Sequence, residues 1–285
     1  MSKKPTILGA HLSAAGGVHT VFERAEQVAA DAVQIFTKSN KSYGAKQLEE
    51  SIIADFKAAQ RASHVSCVVT HAAYLINIAS STEATEQKSC TSLQLELERC
   101  EQLEIPYLVL HPGSHTGSGS AVGLAKIAKN LDAVLKKAGG STKILLETAA
   151  GQGTNLGATF EELKYVYDQC SEQKRIGFCL DTCHVHAAGY ALNTVEEYHS
   201  MIEHFDSVIG LSHLDIIHLN DSKMESGSRR DRHANLGTGT IPLDVITALI
   251  NDSRLASVPI ILETPSVDGI TEYRQELALL RELQK

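Results

Sequence analysis

An α/β chain closed as one (β/α)8 barrel is the fold this sequence predicts, and three observations predict it. Short apolar runs alternate eight times with longer stretches of helical pattern. No Gly/Pro/Ser-rich linker breaks the alternation, so residues 1–285 read as a single domain. Six of the eight apolar runs end in His, Asp or Glu, and a barrel gathers the C-terminal ends of its strands around one rim. Such barrels run to ~250 residues, which suits the length. A doubly wound open sheet is the rival fold, but ligands drawn from six different strands fit closure better.

The elements follow in order. Run 7–10 comes after a short basic tail and precedes a helical stretch at 18–30. Run 32–36 precedes a helix at 48–62, and SCVVTH brings the run 65–71 to His71. The next helix shows Leu93, Leu97, Cys100 and Leu103 at i, i+4, i+7 and i+10. YLVLH ends on His111, with a helix at 121–138; KILLE ends on Glu147, with a helix at 159–170. IGFCLD ends on Asp181 before a helix at 195–209, and LDIIH within the run 214–219 brings in His218 before one at 242–251. VPIILE ends on Glu263, and Ile270, Tyr273, Leu277 and Leu280 mark the last helix. Each run has the length and the β-branched or aliphatic content of a buried strand. The strand-to-helix loops at 37–47, 72–83, 112–120, 148–158 and 220–240 are long, and closure puts them all on the ligand face.

Hydrophobic residues make up 43% and charged residues 21%, ordinary values for a soluble globular chain. No secretory h-region and no apolar stretch approaching the ~20 residues of a bilayer span is visible, so a cytosolic protein with no membrane partner is expected. The six cysteines contain no CxxC pair, which argues against a thiolate metal site and for a reducing compartment. The net charge of −8 argues only superficially against a nucleic-acid partner, because bound divalent cations would concentrate positive charge locally.

Singly, a strand-end His is more often a hydrogen-bonded rim residue, and an Asp or Glu there a helix cap or Arg partner. Jointly, His71, His111, Glu147, Asp181, His218 and Glu263 would be an expensive set of buried polar groups unless divalent cations satisfied them. His184 lies three residues beyond Asp181, and the D-x-H of Asp231 and His233 in the seventh loop points both side chains one way in extended backbone. Together these three supply the ligand count at which a catalytic ion keeps an open position. His186 competes with His184 as the ligand from the sixth loop, which follows Asp181. His11 reads as a contact to ligands or substrate, and His19, His64, His115, His199, His204 and His213 as solvated histidines without partners.

GAHLSAAGG, IFTKSN, HAAYLINIAS, LHPGSH, LLETAAGQGTNLG, LDTCHVHAAGY, HLNDSK, GSRRDRHANLGTG and IILETP, in that order from Gly9 to Pro265, resemble the motifs of endonuclease IV. The resemblance implies a TIM barrel with three zinc ions, Mn²⁺ accepted in part, that cuts double-stranded DNA 5′ of abasic sites and trims blocked 3′ ends. It implies that His71, His111 and Glu147 hold one ion, that Glu147 bridges to a second completed by Asp181, His218 and Glu263, and that His184, Asp231 and His233 hold the third. It favours His184 over His186. Glu263 and Glu147 would be catalytic, Glu263 by orienting or deprotonating the attacking water.

Tyr74 and Leu75 match the family's aromatic-aliphatic wedge; the plain alternative is a loop anchor. Lys38, Lys41, Lys223, Arg229, Arg230 and Arg232 would contact phosphates, and Tyr43 the duplex. Lys41 and Tyr43 stand where members often carry Arg and Trp, which bears on affinity and not on catalysis. Pro242 stands where Gly is common and is expected at the first position of its helix. A monomer is expected. The rival readings are a sugar isomerase or epimerase on a similar metal barrel, and a lesion-binding protein with structural metals. The first would leave His184, Asp231 and His233 unused.

Overall fold

The structure is a computed structural model describing residues 6–284, so the basic tail and both extremes of the 1–285 span lie outside the described residues. Eight strands form a closed parallel barrel: β1 (Leu8–His11), β2 (Ala32–Ile35), β3 (Cys67–His71), β4 (Tyr107–Leu110), β5 (Lys143–Glu147), β6 (Ile176–Asp181), β7 (Leu214–His218) and β10 (Ile260–Leu262). Each pairs with the next in sequence, and β10 closes the ring between β7 and β1. A two-stranded antiparallel ribbon, β8 (Asp221–Ser222) with β9 (His233–Ala234), rises from the seventh loop.

Strand periodicity divides the core in two. Ala32, Val69, Val109, Leu145, Cys179, Ile216 and Ile261 fill the barrel interior. Their outward neighbours, such as Val33, Val68, Leu108 and Ile144, pack under the surrounding helices. These helices are α1 (Val21–Val28), α2 (Glu50–Ala62), α3 (Glu83–Leu103), α4 (Ser120–Ala138), α5 (Phe160–Gln169), α7 (Val195–Val208), α8 (Leu243–Ile250) and α9 (Thr271–Leu283). No helix among the described residues is long and apolar enough to cross a membrane.

Two sequence expectations need correction. The stretch after β6 is not a loop but a short helix, α6 (Thr182–Ala188), begun by the Asp181 side chain, which accepts from the His184 N–H, and ended at Gly189 in the left-handed region. At seven residues it is too short for a periodic pattern to reveal. Pro242 is the cap residue rather than the first residue of α8, because its extended ψ of 148° leaves the helix to begin at Leu243.

The barrel wall leaves no room for a side chain at Gly9. A Cβ there would stand 2.1 Å from the Ala32 carbonyl oxygen, a backbone atom that cannot move aside. Gly9→Ala should therefore destabilise the protein by about 1–3 kcal/mol, as overpacking does in a rigid core. Thermal unfolding measures this; an unchanged melting temperature would show that the wall yields.

Candidate metal centre

The polar rim is the next step of the strand period above the apolar interior. Two residues beyond Gly9, Ala32, Val69, Val109, Leu145, Cys179, Ile216 and Ile261 come His11, Gln34, His71, His111, Glu147, Asp181, His218 and Glu263. Alternation turns both sets inward, so eight polar side chains ring one mouth of the barrel. Gln34, His71, Glu147, Asp181 and His218 are buried. His111 and Glu263 stand just past their strand ends and are half-buried.

The side chains draw into three clusters whose donor atoms lie within 4.8 Å of one another: His71 with His111 and Glu147; Glu147 with Asp181, His218 and Glu263; and His184 with Asp231 and His233. Glu147 is common to the first two. Its Oε2 lies 3.3 Å from both His71 Nε2 and His111 Nδ1, and its Oε1 lies 2.9 Å from His218 Nδ1. Asp231, half-exposed in the seventh loop, reaches His184 Nε2 and His233 Nε2 at 3.2 Å each, one with either oxygen.

The outer ring nitrogens show what these clusters can hold. His71 Nδ1 faces the Ala72 carbonyl at 2.7 Å, His184 Nδ1 the Thr148 carbonyl at 2.8 Å and His233 Nδ1 the Glu263 carbonyl at 3.1 Å. His218 Nε2 faces Gln34 Oε1 at 2.8 Å. Carbonyl oxygens only accept, so each of those nitrogens carries the proton and donates. The other nitrogen of each neutral ring then turns a lone pair toward a carboxylate oxygen, an arrangement that repels unless a cation lies between. His233 Nε2 is buried without a properly directed hydrogen-bond partner. Mixed imidazole and carboxylate donors with locked tautomers fit a borderline divalent ion such as zinc.

Without metal, protons must take that place. Burial raises the Glu147 pKa, but His111 and His218 outweigh it and hold the carboxyl well below its ordinary range. Burial likewise opposes ionisation of Glu263 and Asp231, and the facing imidazoles lower both. Burial disfavours charge on His184, His218 and His71, yet neighbouring carboxylates, with Cys179 for His218, leave all three raised. His233, burial offset chiefly by Asp181 and Asp231, rises to about 9. For His11 and His111 burial dominates and lowers the pKa. Cys179 and Cys183 adjoin the clusters, but burial pushes both thiols up to about 12, so they sit as small apolar groups.

Three supporting residues escape sequence reading. Gln34 bridges the site, its amide oxygen on His218 and its amide nitrogen donating to Glu263 Oε1 at 2.5 Å, with His11 Nδ1 2.9 Å from that nitrogen. Asn220 donates to Asp181 Oδ2 at 2.7 Å and accepts the Glu263 N–H at 2.8 Å. Thr148 Oγ1 accepts the Asp181 N–H at 2.9 Å. The one available signal was Gln34, a buried amide in an otherwise apolar run in register with the acidic and imidazole positions. His186 turns away, toward the Leu192 N–H and Thr240 Oγ1. His115, His199 and His204 are not partnerless as expected: His115 Nδ1 accepts from Gly117 and Gly119 ahead of α4, His199 Nδ1 accepts from Arg254, and His204 pairs with Glu161.

Around the mouth, Tyr74 is 62% exposed and Leu75 39%, while Lys41, Lys223, Arg229, Arg230 and Arg232 are exposed on rim loops. Tyr43 is half-buried and its hydroxyl donates to the Leu75 carbonyl at 3.0 Å, tying two loops together. Lys38 must be corrected: it is no surface cation, because its ammonium is buried against Glu96 at 3.0 Å, where an unpaired carboxylate could not be left.

Comparison with known proteins places this architecture. Residues 22–283 match the family model described as xylose isomerase-like TIM barrel. A probable endonuclease 4 of Chloroflexus aurantiacus is 44% identical over 276 residues, covering 96% of this chain and 97% of the relative. The crystal structure of endonuclease IV from Thermus thermophilus superposes with a TM-score of 0.87 at 34% identity, covering 98% of both chains. A D-tagatose 3-epimerase-like protein superposes with a TM-score of 0.71 at 19% identity, over 97% of each chain, and shares the fold alone.

The titrations predict how the metal-free protein responds to pH. His233, raised from 6.5 to about 9, contributes stability that is fully present below pH 6.5 and lost as pH rises through about 9. His71, His184 and His218 act in the same direction. The lowered Glu147 and Glu263 act oppositely, their contribution present above the ordinary 4.5 and lost as pH falls. In chelator, the melting temperature should fall between pH 6.5 and 9, and saturating zinc should remove that fall by replacing the protons. A flat profile in chelator would contradict the assignment.

Proposed function

Because the chain belongs to the endonuclease IV family of the xylose isomerase-like TIM barrels, and is a DNA-repair nuclease, we propose that it hydrolyses the phosphodiester 5′ to abasic sites in double-stranded DNA. The observation that most supports this reading is the cluster of His184, Asp231 and His233, added to two clusters that share Glu147. A sugar epimerase on this barrel would have no task for that third set, since about one or two ions suffice to polarise a hydroxy-carbonyl substrate. The chain acts as a monomer and one barrel domain.

In this reading His71, His111 and Glu147 hold one zinc, Glu147 with Asp181, His218 and Glu263 a second, and His184, Asp231 and His233 a third, with Mn²⁺ able to replace zinc in part. Zinc bound there lowers the pKa of water to ~7–9 and neutralises charge on the phosphoryl oxygens. Glu263 orients the attacking water and takes its proton. Its own orientation is fixed by Gln34, by His11 Nδ1 at 3.2 Å, and by Asn220 on its backbone N–H. The water oxygen bonds to phosphorus, the P–O3′ bond breaks, and the departing oxygen takes up a proton. The products are a 3′-hydroxyl and a 5′-deoxyribose phosphate, and blocked 3′ ends are removed by the same displacement.

Tyr74 stands over the first cluster, its ring edge-on to Phe36 at 5.3 Å and 5.6 Å from His71. A cavity of about 280 Å³ opens beside it, lined by His111, Asn77, Asn155 and Asp231 among others. An abasic nucleotide has no stacked base to lose, so turning it toward this cavity costs less than flipping an intact one. Tyr74 and Leu75 would fill the gap, while Lys41, Lys223, Arg229 and Arg232 hold phosphates.

A duplex with one abasic site should be nicked on its 5′ side by the purified protein, and chelator should abolish the nick. Elemental analysis should give about three zinc ions per chain. One ion or fewer in an active sample would overturn the three-cluster assignment.

Tyr74→Ala should reduce the preference for abasic over intact duplex by roughly ten- to a hundred-fold, the equivalent of one lost stacking contact of ~1–3 kcal/mol. Lys41→Ala should instead weaken binding to both duplexes and flatten the salt dependence. Competition binding at two salt concentrations separates the two. Equal losses on both duplexes for Tyr74→Ala would make the tyrosine a loop anchor.

A further inference from the structure

Two rim loops from different strands hang on one side chain of α3. Glu96, 1% exposed, accepts the Ala73 N–H on its Oε1 at 3.1 Å and pairs through the same oxygen with Lys38 Nζ at 3.0 Å. Lys38 donates onward to the Ser42 carbonyl at 2.6 Å. One turn along α3, Arg99 donates to the carbonyls of Thr37 and of Lys46, the latter at 2.9 Å. The Tyr43 hydroxyl closes the circuit on the Leu75 carbonyl. Residues 37–46 and 73–75 are thereby held against each other through a buried carboxylate that belongs to neither loop.

A buried ion pair is a weak source of stability, since an apolar pair of equal volume packs α3 at least as well. What the pair supplies here is placement, because a carboxylate that must satisfy both a backbone N–H and an ammonium admits few arrangements of either loop. We propose that Glu96 is a positioning residue for lesion recognition. It sets the loop of Lys41 and Tyr43 against the loop of Tyr74 and Leu75 before DNA arrives. The inference rests on the abasic-site reading above. It also gives Lys38 a role: the lysine carries the constraint from α3 into its own loop.

The test uses the zinc-loaded full chain with Glu96→Gln, and a second variant joining Glu96→Gln to Lys38→Met so that no cation is stranded in the interior. The double variant should melt close to the wild type and keep kcat within about two-fold, while KM for abasic duplex rises about ten-fold as loop ordering is deferred to binding. Backbone hydrogen exchange without DNA should quicken together in 37–47 and 73–76. Wild-type KM and wild-type exchange in the double variant would reduce the pair to packing and overturn the proposal. So would a fall in kcat at unchanged KM, which would place its effect on the chemistry instead. The exchange measurement needs no substrate, so it judges the proposal even if the wild-type protein failed to nick abasic DNA, a result that would sink the functional reading alone.

Discussion

Glu147 is a carboxylate with no exposure to solvent, surrounded by nitrogens of His71, His111, His218 and His184 at 3.3, 3.3, 2.9 and 3.5 Å. Such a group is tolerable in a protein interior only if positive charge reaches it. Three strand ends and the start of α6 must therefore meet at the same point with donors aimed inward, and parallel closure is what brings strand ends together without any of them crossing the core. The apolar layer beneath, from Ala32 to Ile261, is the foundation that keeps water from the carboxylate on its lower side.

From that constraint the secondary contacts follow. Imidazoles around an anion are useful to a cation only in the right tautomer, and main-chain carbonyls of Ala72, Thr148 and Glu263 impose it without needing any side chain. Gln34 imposes it on His218 and at the same time restrains Glu263, so one amide links two members of the second cluster. Asp181 caps α6 with one oxygen, which aims His184, and turns the other toward Asn220 and His233. The second and third clusters are therefore geometrically coupled through a helix of only seven residues.

The rim loops obey separate rules. The loops of 37–46 and 73–75 carry Lys41 and the exposed Tyr74 and Leu75 and are fixed from below by α3, whereas the seventh loop carries Lys223, Arg229, Arg230 and Arg232 together with Asp231 and His233 of the third cluster. On the first two loops the surface groups thus have a support separate from the clusters, while on the seventh loop the two share one stretch of backbone.

Strand order and the six strand-end cluster members, His71, His111, Glu147, Asp181, His218 and Glu263, were legible in the sequence because they rest on a local, period-two pattern: an apolar interior residue, an outward one, then a polar one at the rim. Even the third cluster was legible, since D-x-H is a spacing and His184 follows Asp181 by three. What only tertiary structure decided is whatever depends on a partner distant in sequence. Lys38 looked like its exposed neighbour Lys41 until Glu96, far along the chain on α3, proved to face it. Gln34 looked like one more strand residue until β7 and β10 brought His218 and Glu263 to its amide. Residues 182–188 looked like a loop because so short a helix owes its existence to the Asp181 cap and to packing rather than to its own propensity. Local period writes which side chains point inward; burial against a particular partner decides which join a cluster, which support one, and which charge disappears from the surface.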